Sequence, residues 1–152
     1  MTLSTLNVTN GIAALSVSGV TIKGLSGIPE QVQGRDCPLF FPHPEEFIQG
    51  GAGGDEGLET FGVPTGRFWL FNRTFRYVYL HAPVGTTRGI YEQYPTMTAK
   101  VDLLMEAIAE MDVTDVDVRS ITVSQIGQLQ DPAGSKFYGC TLDITVREKV
   151  NQ

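Results

Sequence analysis

The clearest regularity in the chain lies between Pro95 and Met111, where Met97, Val101, Leu104, Met105, Ile108 and Met111 recur at steps of three and four. That is the period of one face of a helix, and Lys100 and Glu106 fall off the stripe. Pro95 suits the first turn, where a backbone N–H has no intrahelical partner. Burying the five residues of the main stripe is worth roughly 8–15 kcal/mol gross, at about 1.5–3 kcal/mol each. The spacing therefore predicts one main amphipathic helix over 95–111, with its methionines serving as core packing.

Downstream the period changes from helical to alternating. Ser120 to Leu129 begins with Ile121 and Val123 on one side. Phe137 to Val146 alternates more cleanly, with Cys140, Leu142, Ile144 and Val146 on one face and Thr141, Asp143, Thr145 and Arg147 on the other. This is the pattern of a sheet with one wet face. Asp131-Pro132-Ala133-Gly134 between them has turn chemistry, so the pair reads as an antiparallel hairpin. Arg67 to His81 is aromatic and β-branched enough for one or two strands, with Asn72-Arg73-Thr74 a tight turn or a bend. Cys37 to Phe41 is a shorter strand closed by Pro42 and Pro44.

Two stretches carry weaker patterns. Asn10-Gly11 between Leu6-Asn7-Val8 and Ile12-Ala13-Ala14-Leu15 reads as a hairpin turn, and the Thr, Val and Gly content there opposes helix. Gly50-Gly51-Ala52-Gly53-Gly54-Asp55-Glu56-Gly57 offers no side chain to anchor it to a core and reads as a flexible loop over 50–57. Together the elements predict one α+β domain over 1–152. Its sheet is mixed, mostly antiparallel, with about four or five strands and helix packed on one face.

Composition narrows the class. The chain has 152 residues, 41% hydrophobic and 18% charged, with a mean hydropathy of −0.03. That is too apolar for disorder and lacks the long apolar run of a membrane span. The N-terminus has neither the basic nor the apolar region of a signal peptide, so a soluble protein made in a cytoplasm is expected. Cys37 and Cys140 are too few for a disulfide scaffold and read as reduced, inert thiols.

The net charge of −6 opposes a dedicated nucleic-acid binder. The charge is uneven, however. Residues 1–66 hold 2 bases and 7 acids, whereas 67–152 hold 9 bases and 10 acids. Arg67, Arg73, Arg76 and Arg88 lie among aromatics in 67–91 with no acid between them, a composition that suits single-stranded nucleic acid or a protein interface. Glu106, Glu110, Asp112, Asp115 and Asp117 form an acidic run with no base.

Catalytic motifs are incomplete. His43-Pro44-Glu45-Glu46 sets an imidazole near a carboxylate, but zinc wants three or four such ligands, and Pro44 with two acids behind it is also how a short helix begins. The glycine run lacks the Gly-Lys-Ser/Thr ending of a phosphate loop, and its acids repel phosphate. Gly24-Leu25-Ser26-Gly27-Ile28 has Ile where a nucleophile elbow needs Gly. No enzyme, metal or cofactor is expected.

One resemblance spans nearly the whole chain. Ile12-Ala13-Ala14-Leu15-Ser16-Val17-Ser18-Gly19-Val20-Thr21-Ile22-Lys23 leads to Ile28-Pro29. Arg35-Asp36-Cys37-Pro38-Leu39-Phe40-Phe41-Pro42-His43-Pro44 follows, then an aromatic strand region, one amphipathic helix, and Tyr138-Gly139-Cys140-Thr141-Leu142-Asp143-Ile144-Thr145-Val146. This order resembles the tail-terminator (tail-completion) proteins of long-tailed bacteriophages. The resemblance implies an α+β subunit with helices on one face, including a helix around Leu3 to Leu15 that the local propensities oppose. It implies a virion protein at the head–tail junction: a homo-oligomeric ring, usually sixfold, that caps the tail tube, ends its polymerisation and meets the head connector. DNA passes through such a ring without being read, and no membrane is involved. Other connector or minor tail proteins share parts of the order.

A closing ring needs two different patches on each subunit. The charge pattern assigns Arg67, Arg73, Arg76 and Arg88 to one and Glu110, Asp112, Asp115 and Asp117 to the other. The segment Gly50, Gly51, Gly53, Gly54, Asp55 and Glu56 is expected to dock the tube or connector. The rival classes are a single-stranded nucleic-acid-binding module built on 67–91 and a small hydrolase or isomerase using His43 or His81.

Overall fold

The computed structural model describes residues 4–58, 67–85 and 89–151, with residues 49–58, 67, 68 and 151 described by their backbone. Its elements run α1 (Thr5–Ala13), β1 (Thr21–Ile22), β2 (Leu39–Pro42), β3 (Ile48–Leu58), β4 (Arg67–Pro83), α2 (Ile90–Ala109), β5 (Val116–Val123), β6 (Gly127–Gln130) and β7 (Lys136–Asn151). The centre is a long antiparallel ladder of β4 on β7. Each outer edge of that ladder is continued by two strands laid end to end. β2 and β3 line β4, and β6 and β5 line β7. β1 adds to β2 in parallel, which makes the sheet mixed. The fold is α+β as the alternation predicts, with seven strands among the described residues rather than four or five.

Both helices share one face. Val8 and Ile12 of α1 and Met97, Val101, Leu104 and Ile108 of α2 pack on Phe75, Tyr77, Tyr79, Cys140, Leu142, Ile144 and Val146. The predicted helical stripe and the predicted inner face of β7 are thus the two halves of one core. The opposite face is covered only in part. There Val32, Leu39, Phe41, Val78, Leu80 and Phe137 form a second, smaller cluster with Ile28, Cys37 and Leu129.

Several elements depart from the sequence expectation for identifiable reasons. α1 forms where propensity favours a turn, because tertiary contacts outweigh it. Ser4 caps it by accepting the Asn7 N–H at 3.2 Å, and Val8, Thr9 and Ile12 are buried. Gly11 sits in the helix because a Cβ there would stand 2.5 Å from a Val113 methyl. The residue that reads as a turn is instead the point where α1 lies closest to the segment after α2. α2 itself starts at Ile90, ahead of the predicted Pro95, and absorbs that proline in its interior.

Arg67 to Pro83 is one unbroken strand, with Asn72-Arg73-Thr74 in register with β7 and no turn. The expected single strand over 120–129 is two, β5 and β6, both paired antiparallel with β7. The segment expected as a flexible loop over 50–57 is strand β3, with Gly53 to Leu58 facing Asn72 to Arg67 across the ladder. Glycine supplies the same ladder N–H and C=O groups as any other residue. Composition reported the missing side chains, whereas the pairing rests on backbone offered by β4.

β4 and β7 come unusually close near one end. A Cβ on Gly139 would lie 1.9 Å from the Tyr79 carbonyl oxygen, so only glycine fits there. This contact sits beside the register shift between Leu80 and Ala82.

Candidate functional site

Alternation along β4 and β7 decides what each charged residue can do. The series Cys140, Leu142, Ile144 and Val146 continues inward to Glu148, and on β4 the series Tyr79, Tyr77 and Phe75 continues to Arg73. Glu148 is fully buried and Arg73 nearly so. The Arg73 guanidinium donates through Nε and Nη2 to the two carboxylate oxygens of Glu148, at 2.5 and 2.7 Å. Its Nη1 donates to Thr5 Oγ1 at 2.8 Å, tying in the first turn of α1, and its Cζ lies 4.9 Å from the centre of the Phe75 ring. Arg73 is therefore an internal strut. The expectation that it faces a neighbouring subunit is corrected: the side chain is buried, and all three of its nitrogens donate to groups inside the fold.

Arg76 lies on the opposite, wet face. It holds Asp143 through Nε and Nη2 at 2.8 and 3.1 Å, and Glu46 through Nη1 at 2.6 Å. The Asp143 hydrogen bonds hold its proton more tightly than usual. Residues 43–47 loop out around this side chain, with the His43 N–H donating to the Arg76 carbonyl and the Arg76 N–H to that of Phe47. Thr74 and Thr145 hydroxyls meet at 2.8 Å, and Arg147 donates to Asn72 at 3.2 Å. Arg67 opens β4 opposite Leu58. Arg88 lies outside the described residues.

The predicted acids do gather. Asp112, Asp115 and Asp117 line a cleft of about 420 Å³ with Met111 and Leu70, and Glu110 caps α2 just before it. Asp115 holds a left-handed φ of 61° in the turn from Val113 to Val116, and its carbonyl accepts the Lys149 N–H. Arg147 and Lys149 line the same cleft, so the patch is mixed in charge rather than purely acidic. Glu110, Asp112 and Asp117 are exposed, and Asp115 is half-buried.

Among the described residues of 67–91 the aromatics divide: Trp69 and Phe71 are half-buried and Tyr91 is exposed. Phe75, Tyr77 and Tyr79 are buried in the core, which leaves those rings no face for a base. Burial also raises the pKa of both tyrosines. His43 accepts the N–H groups of Glu45 and Glu46 on Nδ1, at 3.2 and 3.0 Å. The expected short helix after Pro44 is a single turn capped by this imidazole, and its Nδ1 is occupied. Among the described residues no cluster of His, Cys, Asp and Glu is arranged to hold a metal ion. His81 is buried, hydrogen-bonded to the Tyr79 hydroxyl at 2.6 Å. Burial lowers its pKa first, with Lys100 acting in the same direction and a Gln93 hydrogen bond opposing.

Both cysteines are free thiols. Burial, aided by Asp36, pushes Cys37 up to about 11, and burial pushes Cys140 up to about 12. Neither forms appreciable thiolate near neutrality, so both are poor nucleophiles. Sequence reasoning missed the partners Glu148, Asp143 and Asp131. Asp131 is buried and accepts the N–H groups of Val32 at 2.9 Å and Ser135 at 2.7 Å, latching the segment before β2 to the β6–β7 turn. Among the described residues no helix is long and apolar enough to cross a membrane.

No protein-family model and no curated protein matches this sequence.

Proposed function

We propose that this chain is a structural subunit of a ring that caps the tail tube of a long-tailed bacteriophage, ends tube polymerisation and joins the tail to the head connector. The observation that carries the reading is the helix Thr5–Ala13. The resemblance requires a helix there and local propensity opposes one. It packs beside α2 on one face of a mixed sheet, which is the subunit architecture the resemblance implies. The burial of Phe75, Tyr77 and Tyr79 and the internal hydrogen bonds of Arg73 also favour assembly over nucleic-acid recognition.

The ring uses groups other than Arg73, which is spent internally. Glu110, Asp112 and Asp117 are exposed at one end of the sheet and serve as part of one patch of a head-to-tail contact. DNA transits the lumen without being held, consistent with a net charge of −6. The test is negative-stain electron microscopy of the purified protein together with a gel shift on labelled single-stranded DNA. Closed rings with an open centre and no shift support the reading. Dispersed single subunits, or salt-sensitive retention of the DNA, contradict it.

A further inference from the structure

β5 is the last strand of the path β1-β2-β4-β7-β5, and among the described residues no strand pairs with its outer side. The Ser124 N–H donates to the Thr141 carbonyl of β7. Antiparallel alternation then turns Thr122 toward β7 and leaves the backbone groups of Ile121 and Val123 directed outward. Beside this edge, between α2 and β5, runs an open groove of about 390 Å³. It is lined by half-buried Met105, Val118 and Ile121 and by exposed Glu106, Ala109, Arg119 and Ser120.

Charge defines what fits. Asp102 and Glu106 of α2 and Glu110 at its C-cap recur every four residues and are all exposed, so they form one acidic stripe, of which Glu106 lines the groove. The strand side contributes Arg119 at a register shift between Val118 and Ser120. That irregularity interrupts the edge, which disfavours long pairing of one copy with another through β5 and leaves room for a short strand.

We propose that this groove is a strand-docking site for a protein partner, which adds a short extended segment to the outer edge of β5. At groove-facing positions the segment carries apolar residues together with arginine or lysine. The apolar residues cover Val118 and Ile121. The basic stem lies along Met105 and Ala109, and its charged end reaches Glu106. The proposal is independent of the ring reading, since it needs only the edge of one subunit.

The probe is a fluorescent peptide of about nine residues with Val, Arg and Val at alternate positions and Thr between them. Controls carry Glu in place of Arg, or Pro at the centre. The expected result is saturable binding of the Val–Arg peptide with slowed hydrogen exchange at the Ile121 and Val123 amides. Glu106→Lys should weaken it by about fivefold or more, and Ala109→Arg, which fills the groove from an exposed helix position, should abolish it. Equal binding of the proline peptide, exchange changes confined to another region, or no saturable binding would overturn the proposal. So would concentration-dependent protection of Ile121 and Val123 in the protein alone, which would assign the edge to a second copy.

Discussion

Arg73 of β4 and Glu148 of β7 meet diagonally across the ladder inside the core, joined by two hydrogen bonds, with Glu148 fully buried. A third donor of the same guanidinium reaches Thr5 at the start of α1. The pair therefore couples the sheet to the N-terminal helix, and it gives a strong arginine in a basic-looking segment a purely internal role.

Removing one member of a buried pair strands the other charge. Glu148→Ala is expected to destabilise the fold by about 3–5 kcal/mol, whereas replacing both residues together, as Arg73→Met with Glu148→Leu, should cost far less. Urea denaturation of the three variants measures this. A Glu148→Ala loss below about 1 kcal/mol would refute the buried-strut assignment. It follows that charge reversal at Arg73 probes folding rather than assembly.

Gly139 is fixed by geometry. With a Cβ placed 1.9 Å from the Tyr79 carbonyl, Gly139→Ala must push β4 and β7 apart, at an expected cost of about 1–3 kcal/mol or more. The chemical-denaturation midpoint should fall, and amides flanking Leu80 should exchange faster. An unchanged midpoint contradicts the close approach.

Gly11 sets propensity against packing. Alanine is the better helix former by about 1 kcal/mol, yet its Cβ would meet the Val113 methyl at 2.5 Å. Gly11→Ala is expected to lower stability, and adding Val113→Ala should restore it. A thermal melt in which Gly11→Ala alone is stabilised would show that α1 does not rest on Val113.

His81 makes stability depend on pH. In the folded chain burial lowers its pKa below the ordinary 6.5, so the unfolded chain binds more protons just below that value. Stability should therefore fall as pH drops through about 6.5 and level off below the folded pKa. Urea midpoints between pH 7.5 and 5 should show this slope, with a shallower one in His81→Gln. Equal slopes in both proteins would remove His81 as the cause.

The core was legible where one residue type repeats at one period. Met97, Val101, Leu104 and Ile108 name the buried face of α2, and Cys140, Leu142, Ile144 and Val146 name that of β7. The same alternation carried one step further would have placed Glu148 inside and demanded a partner for it. β3 was not legible because long-range backbone pairing defines it, and α1 because its short Val8, Ile12 and Leu15 stripe was outweighed by the Thr, Val and Gly propensities around it. The acids of 110–117 were found together, whereas Arg147 and Lys149 beside them come from the far end of the chain, a proximity only β7 creates.

The account turns on whether the subunit closes into a ring. Native mass spectrometry of the purified protein tests this directly, because the subunit mass is 16.6 kDa. The account predicts one closed species of defined stoichiometry, about six subunits, with no ladder of larger sizes. A monomer at micromolar concentration, or an open-ended series of oligomers, would contradict it.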